Sequence, residues 1–199
     1  MRLSRNYCVE DWAALKFQSE ADWELAVSIF LDRVETRYLE HIRALLSRKT
    51  NGFVVLALDS ALIETLEQFR RGVGKTPMRK GCEYFESFLT GTKFGEYFTS
   101  ELAKIFYREI RCGLLHQTEA GGSSRVKRGE GLAVVTPTAD GRGVIINTPK
   151  FHQVLEDEVQ SYAEIVRSGL DVPSRQAFRR KMNYICRIES EEPANGIAN

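Results

Sequence analysis

The chain has 199 residues, of which 43% are apolar and 28% charged, and its formal net charge is +1. This length suits one well-buried domain and leaves room for a second only if that is minimal. Near-neutrality excludes attraction to nucleic acid through bulk charge, so such contact needs local basic clusters.

No apolar run approaches the roughly twenty residues of a membrane span. The start, Met1-Arg2-Leu3-Ser4-Arg5-Asn6-Tyr7-Cys8, is charged but has no apolar stretch to follow and does not read as a signal peptide, so a cytoplasmic location is expected. Cys8, Cys82, Cys112 and Cys186 stand far apart, without a Cys-x-x-Cys pair or nearby histidines, and read as reduced thiols. No metal site and no cofactor is expected.

In chain order, Ser19 is placed to cap a long helix. Its stripe is Trp23, Val27, Phe30, Val34, Tyr38, Ile42 and Leu45, at spacings of three and four. Asn51-Gly52 breaks the chain. Residues 53–58 are apolar on every side, and the helical period then settles on Leu58, Leu62, Ile63, Leu66 and Phe69, predicting a buried central helix that ends at Gly72. A basic loop with Pro77 leads to a short helix over residues 83–89. A longer helix starts near Phe94 or Thr99 and buries Phe98, Leu102, Ile105, Phe106 and Ile110.

After the turn Gly121-Gly122-Ser123-Ser124, two β-rich runs at 132–136 and 144–148 flank Pro137 and Asp140-Gly141 and predict a hairpin over about residues 131–148. Pro149 opens a helix that Gly169 closes, and Pro173 opens a last helix carrying Phe178, Met182, Ile185 and Ile188. The expected fold is therefore mainly α, a helical bundle with a small β-hairpin insertion before the C-terminal helices, formed as one domain over residues 1–189 with a disordered tail at 190–199.

Three basic clusters stand out: Arg70, Arg71, Lys75, Arg79 and Lys80; Arg125, Lys127 and Arg128; and Arg175, Arg179, Arg180 and Lys181. The first offers Arg70, Arg71 and Lys75 as substrate-binding residues. Solvated helix ends and loops are the plainer reading of all three.

The most distinctive stretch is Ile110-Arg111-Cys112-Gly113-Leu114-Leu115-His116, at the end of the long amphipathic helix. A permanently charged guanidinium and an imidazole that titrates near neutrality are suited to holding and cleaving a phosphodiester. On an unbroken helix, five residues turn a side chain through about 500°, so Arg111 and His116 would point about 140° apart. Either the helix deforms at Gly113 or two protomers each contribute a pair to a shared cleft.

The run from Phe106 to His116, closing a core helix in a helical chain, resembles the HEPN superfamily, which shares a small helical bundle and an Arg-x(4 to 6)-His motif. The resemblance of the whole chain is architectural; the motif covers this stretch alone. It implies a metal-independent endoribonuclease of the toxin, antiviral or RNA-processing kind, with its site built across a homodimer interface. Partners would be RNA, a second copy of the chain, and an antitoxin or defence-system protein. The residue after the family's arginine is commonly polar, and here it is Cys112.

In the corresponding mechanism the 2′-hydroxyl attacks the neighbouring phosphate, His116 acts as general base or acid and Arg111 holds the scissile phosphate. An acidic or polar residue of a neighbouring helix often supports the pair in that family. Glu64 is the first candidate, with Ser60 and Glu67 beside it, because they interrupt the apolar central helix. His41 and His152 read as surface or partly buried helix residues, and Cys112 as a small buried hydrophobe. The rival reading is a catalytically inactive HEPN-like module that binds RNA or protein.

Overall fold

A computed structural model of the chain describes residues 1–117 and 119–188; the expected tail at 190–199 lies outside them. The fold is mainly helical, with a small three-stranded sheet before the C-terminal helices. After α1 (Val9–Ala13), α2 (Glu20–Val34) passes through a π-helical turn at Glu35–Leu39 directly into α3 (Glu40–Leu46). Ser19 caps α2 as expected, its hydroxyl accepting from the Asp22 amide at 3.3 Å.

The central helix α4 (Gly52–Arg71) ends where Gly72 turns left-handed at φ 66°. There the Gly72 and Val73 amides donate to the Phe69 and Gln68 carbonyls at 3.2 and 3.0 Å, closing off the helix end. α5 (Gly81–Gly91) and a 3₁₀ turn at Lys93–Glu96 follow. Thr99 then caps the motif helix, which comprises α6 (Ser100–Ile105), a second π-helical turn at Phe106–Arg111 and α7 (Cys112–Gln117).

The hairpin forms from β2 (Val135–Pro137) and β3 (Val144–Asn147), which pair antiparallel with Thr136 opposite Ile145. A third strand, β1 (Arg125–Lys127), pairs parallel on the other edge of β3 and was not foreseen. Its three residues are too few to show a period, and each pairs with a residue twenty positions along the chain. α8 (Thr148–Ser168) and α9 (Val172–Cys186) complete the fold.

Aromatic side chains fill the space between helices. Phe30 of α2, Phe69 of α4, Tyr162 of α8 and Phe178 of α9 meet with centroids 5.0–6.4 Å apart. Phe94, Phe98, Phe106 and Phe151 form a second group, with the Phe106 and Phe151 rings stacked at 5.2 Å. Phe106 thereby anchors the motif helix to α8.

One expectation reverses. His152 is buried against α4, not at the surface, because it adjoins the Phe151–Leu155–Val159 stripe that packs α8 inward. Its Nδ1 lies 2.8 Å from Asp59 Oδ1, and Asp59 is itself fully buried.

Candidate functional site

The motif helix positions Arg111 at the end of its π-helical turn, half-buried against α4. A guanidinium nitrogen donates to Glu64 Oε2 at 3.0 Å, and the guanidinium carbon sits 5.5 Å from the centre of the Tyr107 ring. Burial works against the charge, but the hydrogen bond and attraction of Glu64 outweigh it and raise the Arg111 pKa. Carboxylate and ring thus fix the cation, and the bond to Glu64 uses one of its five N–H donors.

His116 is exposed on α7, without a hydrogen-bond or ion-pair partner among the described residues. The helix does not deform at Gly113. α7 runs from Cys112 straight through it, and the wider turn lies upstream, ending at Arg111. The angular separation of Arg111 and His116 within one chain therefore stands.

Gly113 has a different task. A Cβ there would lie 2.5 Å from the Glu119 carbonyl oxygen and 2.9 Å from the Gly121 nitrogen, because the chain leaving the helix folds back over it. The Gly121 amide donates to the Glu109 carbonyl inside the π-helical turn at 2.7 Å, which pins that return.

Of the three polar candidates on α4, the structure brings only Glu64 to Arg111. Ser60 is buried with its hydroxyl unpartnered among the described residues, and Glu67 is buried and bound to Arg71 at 2.7 Å. Arg70 and Arg71 are likewise committed to carboxylates. Arg70 lies 3.5 Å from Glu67 and 3.6 Å from Glu158; Arg71 also reaches Glu83 at 3.1 Å and covers the Tyr84 ring at 4.2 Å. Lys75 is exposed in the loop after α4.

Much of the other basic residue content is occupied as well. Arg128 donates to the Arg48 and Leu46 carbonyls at 2.9 and 2.7 Å, and Arg175 bonds Glu20 while lying over the Trp23 ring. His41 is exposed beside Glu40.

A cleft beside the motif helix offers cations that the spacing of the sequence does not group. Lys104, Arg108, Arg125 and Arg142 line a 970 Å³ hollow together with Ser123 and Asp140. Its acidic members are partly engaged: Glu109 binds Arg108 at 2.6 Å, and Asp140 accepts from Thr138 and Ser123 at 2.6 and 3.0 Å, which with its backbone contacts lowers its pKa. Only Arg125 belonged to a basic cluster in the sequence; Lys104 and Arg108 stand one turn apart on the motif helix, and Arg142 lies in the turn of the hairpin.

Three apolar side chains of α7 and the start of α4 are exposed, Leu115 being His116's neighbour in the chain. Leu115 is 51% exposed, and on α4 Phe53 and Val54 are 41% and 51% exposed; Phe53 shares a hollow with Gln117. Among the described residues no group of three His, Cys, Asp or Glu side chains is placed to hold a metal ion. No helix among them is long and apolar enough to cross a membrane.

No protein-family model matches the chain, and neither a curated protein nor a solved structure is significantly similar to it.

Proposed function

We propose that the protein is a HEPN-like endoribonuclease that works without a metal, with Arg111 and His116 as its catalytic residues and Glu64 as the residue that positions Arg111. The carrying observation is the contrast at the end of the motif helix. Arg111 is fixed by Glu64 at 3.0 Å, while the His116 imidazole stands free in solvent. A fixed cation suits a phosphate anchor, and a free imidazole suits proton transfer to or from the 2′-hydroxyl or the leaving 5′-oxygen.

The angle between the two side chains calls for a second copy of the chain, and the exposed Leu115, which adjoins His116 in sequence, with Phe53, which shares a hollow with Gln117, supplies apolar surface for it. The cleft beside the motif helix adds a surface for flanking RNA phosphates through Arg125 and Arg142, which are in no ion pair among the described residues, whereas Lys104 and Arg108 are paired with Glu86 and Glu109 much as Arg70 and Arg71 are with their own carboxylates.

The commitment of Arg70 and Arg71 to carboxylates also favours a second reading, a catalytically inactive module that recognises RNA or an antitoxin or defence-system protein. Cleavage of single-stranded RNA in EDTA separates the two. Activity is expected in the native chain and a loss of about a hundred-fold or more in Arg111→Ala and in His116→Ala, both still folded. RNA affinity that falls with salt, without cleavage, would replace the nuclease by the binding module.

A further inference from the structure

A second cavity, 540 Å³ in volume, opens between the π-helical turn after α2, the outer side of α4 and the end of α9. Arg33, Arg37 and Lys181 line it, and no carboxylate does. None of the three has a carboxylate partner among the described residues. The Arg33 and Arg37 guanidinium groups both donate to the Leu3 carbonyl, at 2.7 and 3.0 Å, which draws the two like charges together. Lys181, only 5% exposed, spends two of its three N–H donors on Gln68 Oε1 and the Gly74 carbonyl at 2.6 and 2.7 Å.

The cations repel one another. Burial and then Arg37 lower the Arg33 pKa; burial and then Arg33 bring Lys181 down to about 8. The π-helical turn presents Thr36, Arg37 and Tyr38 to the same hollow, so aromatic surface and a hydroxyl stand beside the charges. Elsewhere the chain binds its buried or half-buried arginines to carboxylates, as at Arg71 and Arg111. Here no carboxylate among the described residues compensates the cations, and the volume is that of a small-molecule site.

We infer that this cavity binds a small phosphate-bearing anion, with its charge on Arg33, Arg37 and Lys181 and its remaining body against Tyr38 and Ile185. Phosphate oxygens accept the uncommitted N–H donors of both guanidinium groups and of the ammonium. Binding also relieves the repulsion among the three cations.

Titration calorimetry with inorganic pyrophosphate at constant ionic strength tests this. Saturable one-site binding is expected, weakened about ten-fold or more in Arg37→Gln, an exposed position, and in Lys181→Met. Pyrophosphate loses its own last proton between about pH 7 and 9.5, so the contribution of Lys181 is read as a difference: the affinity advantage of the native chain over Lys181→Met should shrink across that range. Lys181 is the cavity's cation that titrates there; Arg33 and Glu64 act on it electrostatically, Tyr184 lies 5.5 Å from its nitrogen, and His41 faces the same hollow.

Absence of saturable binding, or binding unchanged in Arg37→Gln, overturns the assignment, and Arg37→Gln decides should Lys181→Met fail to fold. Competition with a single-stranded RNA oligonucleotide distinguishes the source of the phosphate. Undiminished pyrophosphate binding supports a small ligand, whereas displacement assigns the cavity to nucleic-acid phosphates and overturns it.

Discussion

Asp59 and His152 are a costly pair to bury. The second carboxylate oxygen of Asp59, the Nε2 of His152 and the neighbouring Ser60 hydroxyl all lack hydrogen-bond partners among the described residues. Burial raises the Asp59 pKa from 3.8 to about 6 against the pull of His152, and Glu156 adds to the rise. Between those two values the folded protein holds a proton that the unfolded chain has released, so this residue's contribution to stability declines as pH rises from about 4 to about 6.

Asp59→Asn removes that dependence. The native chain's stability relative to the variant should be on the order of 1 kcal/mol or more higher at pH 4 than at pH 7, measured by urea unfolding. A difference that does not vary with pH would contradict the assignment. None of this was legible in the sequence, where Asp59 sits within an apolar run and His152 beside an apolar stripe without a sign of being each other's partner.

Among the elements, the helix ends were legible because they depend on local chemistry. Ser19 caps a helix through the amide three residues on, and Gly72 and Gly169 close helices in left-handed conformations, which a sequence displays directly; Thr99 caps the motif helix, whose start the sequence left between Phe94 and Thr99. The two π-helical turns were not, since the apolar period runs on through Glu35–Leu39 and Phe106–Arg111 without a visible stutter. Long-range pairing was equally hidden. Glu158 and Glu83, which occupy Arg70 and Arg71, lie on α8 and α5, so the sequence offered those arginines as free when they are not. The Arg111 and Glu64 pairing was within reach because each stands out as a polar interruption of a buried helix face.

The return of the chain over Gly113 yields an element-scale test. Alanine normally stabilises a helix interior relative to glycine by about 1 kcal/mol. In Gly113→Ala the new methyl meets backbone at 2.5 and 2.9 Å, which cannot swing away as a flexible side chain would. A net loss of about 1–3 kcal/mol is expected by denaturant unfolding, and a stabilised variant would show that the return path does not press on the helix.

For the whole molecule, the helical fold leaves Phe53 and Val54 of α4 and Leu115, the neighbour of His116 in the chain, exposed. The proposal makes these the surface on which two copies meet. Light scattering over a concentration series should give a dimer for the native chain and a monomer for Phe53→Glu, with the variant's helical content unchanged. A native chain that stays monomeric at high micromolar concentration would remove the shared cleft.

The central claim is chemical, and the ends of the RNA product report on it most directly. When RNA is incubated with the native chain in EDTA, attack by the 2′-hydroxyl predicts fragments ending in a 2′,3′-cyclic phosphate and beginning with a free 5′-hydroxyl, and no such fragments with His116→Ala. Products bearing 5′-phosphates, or equal cleavage by His116→Ala, would contradict the account.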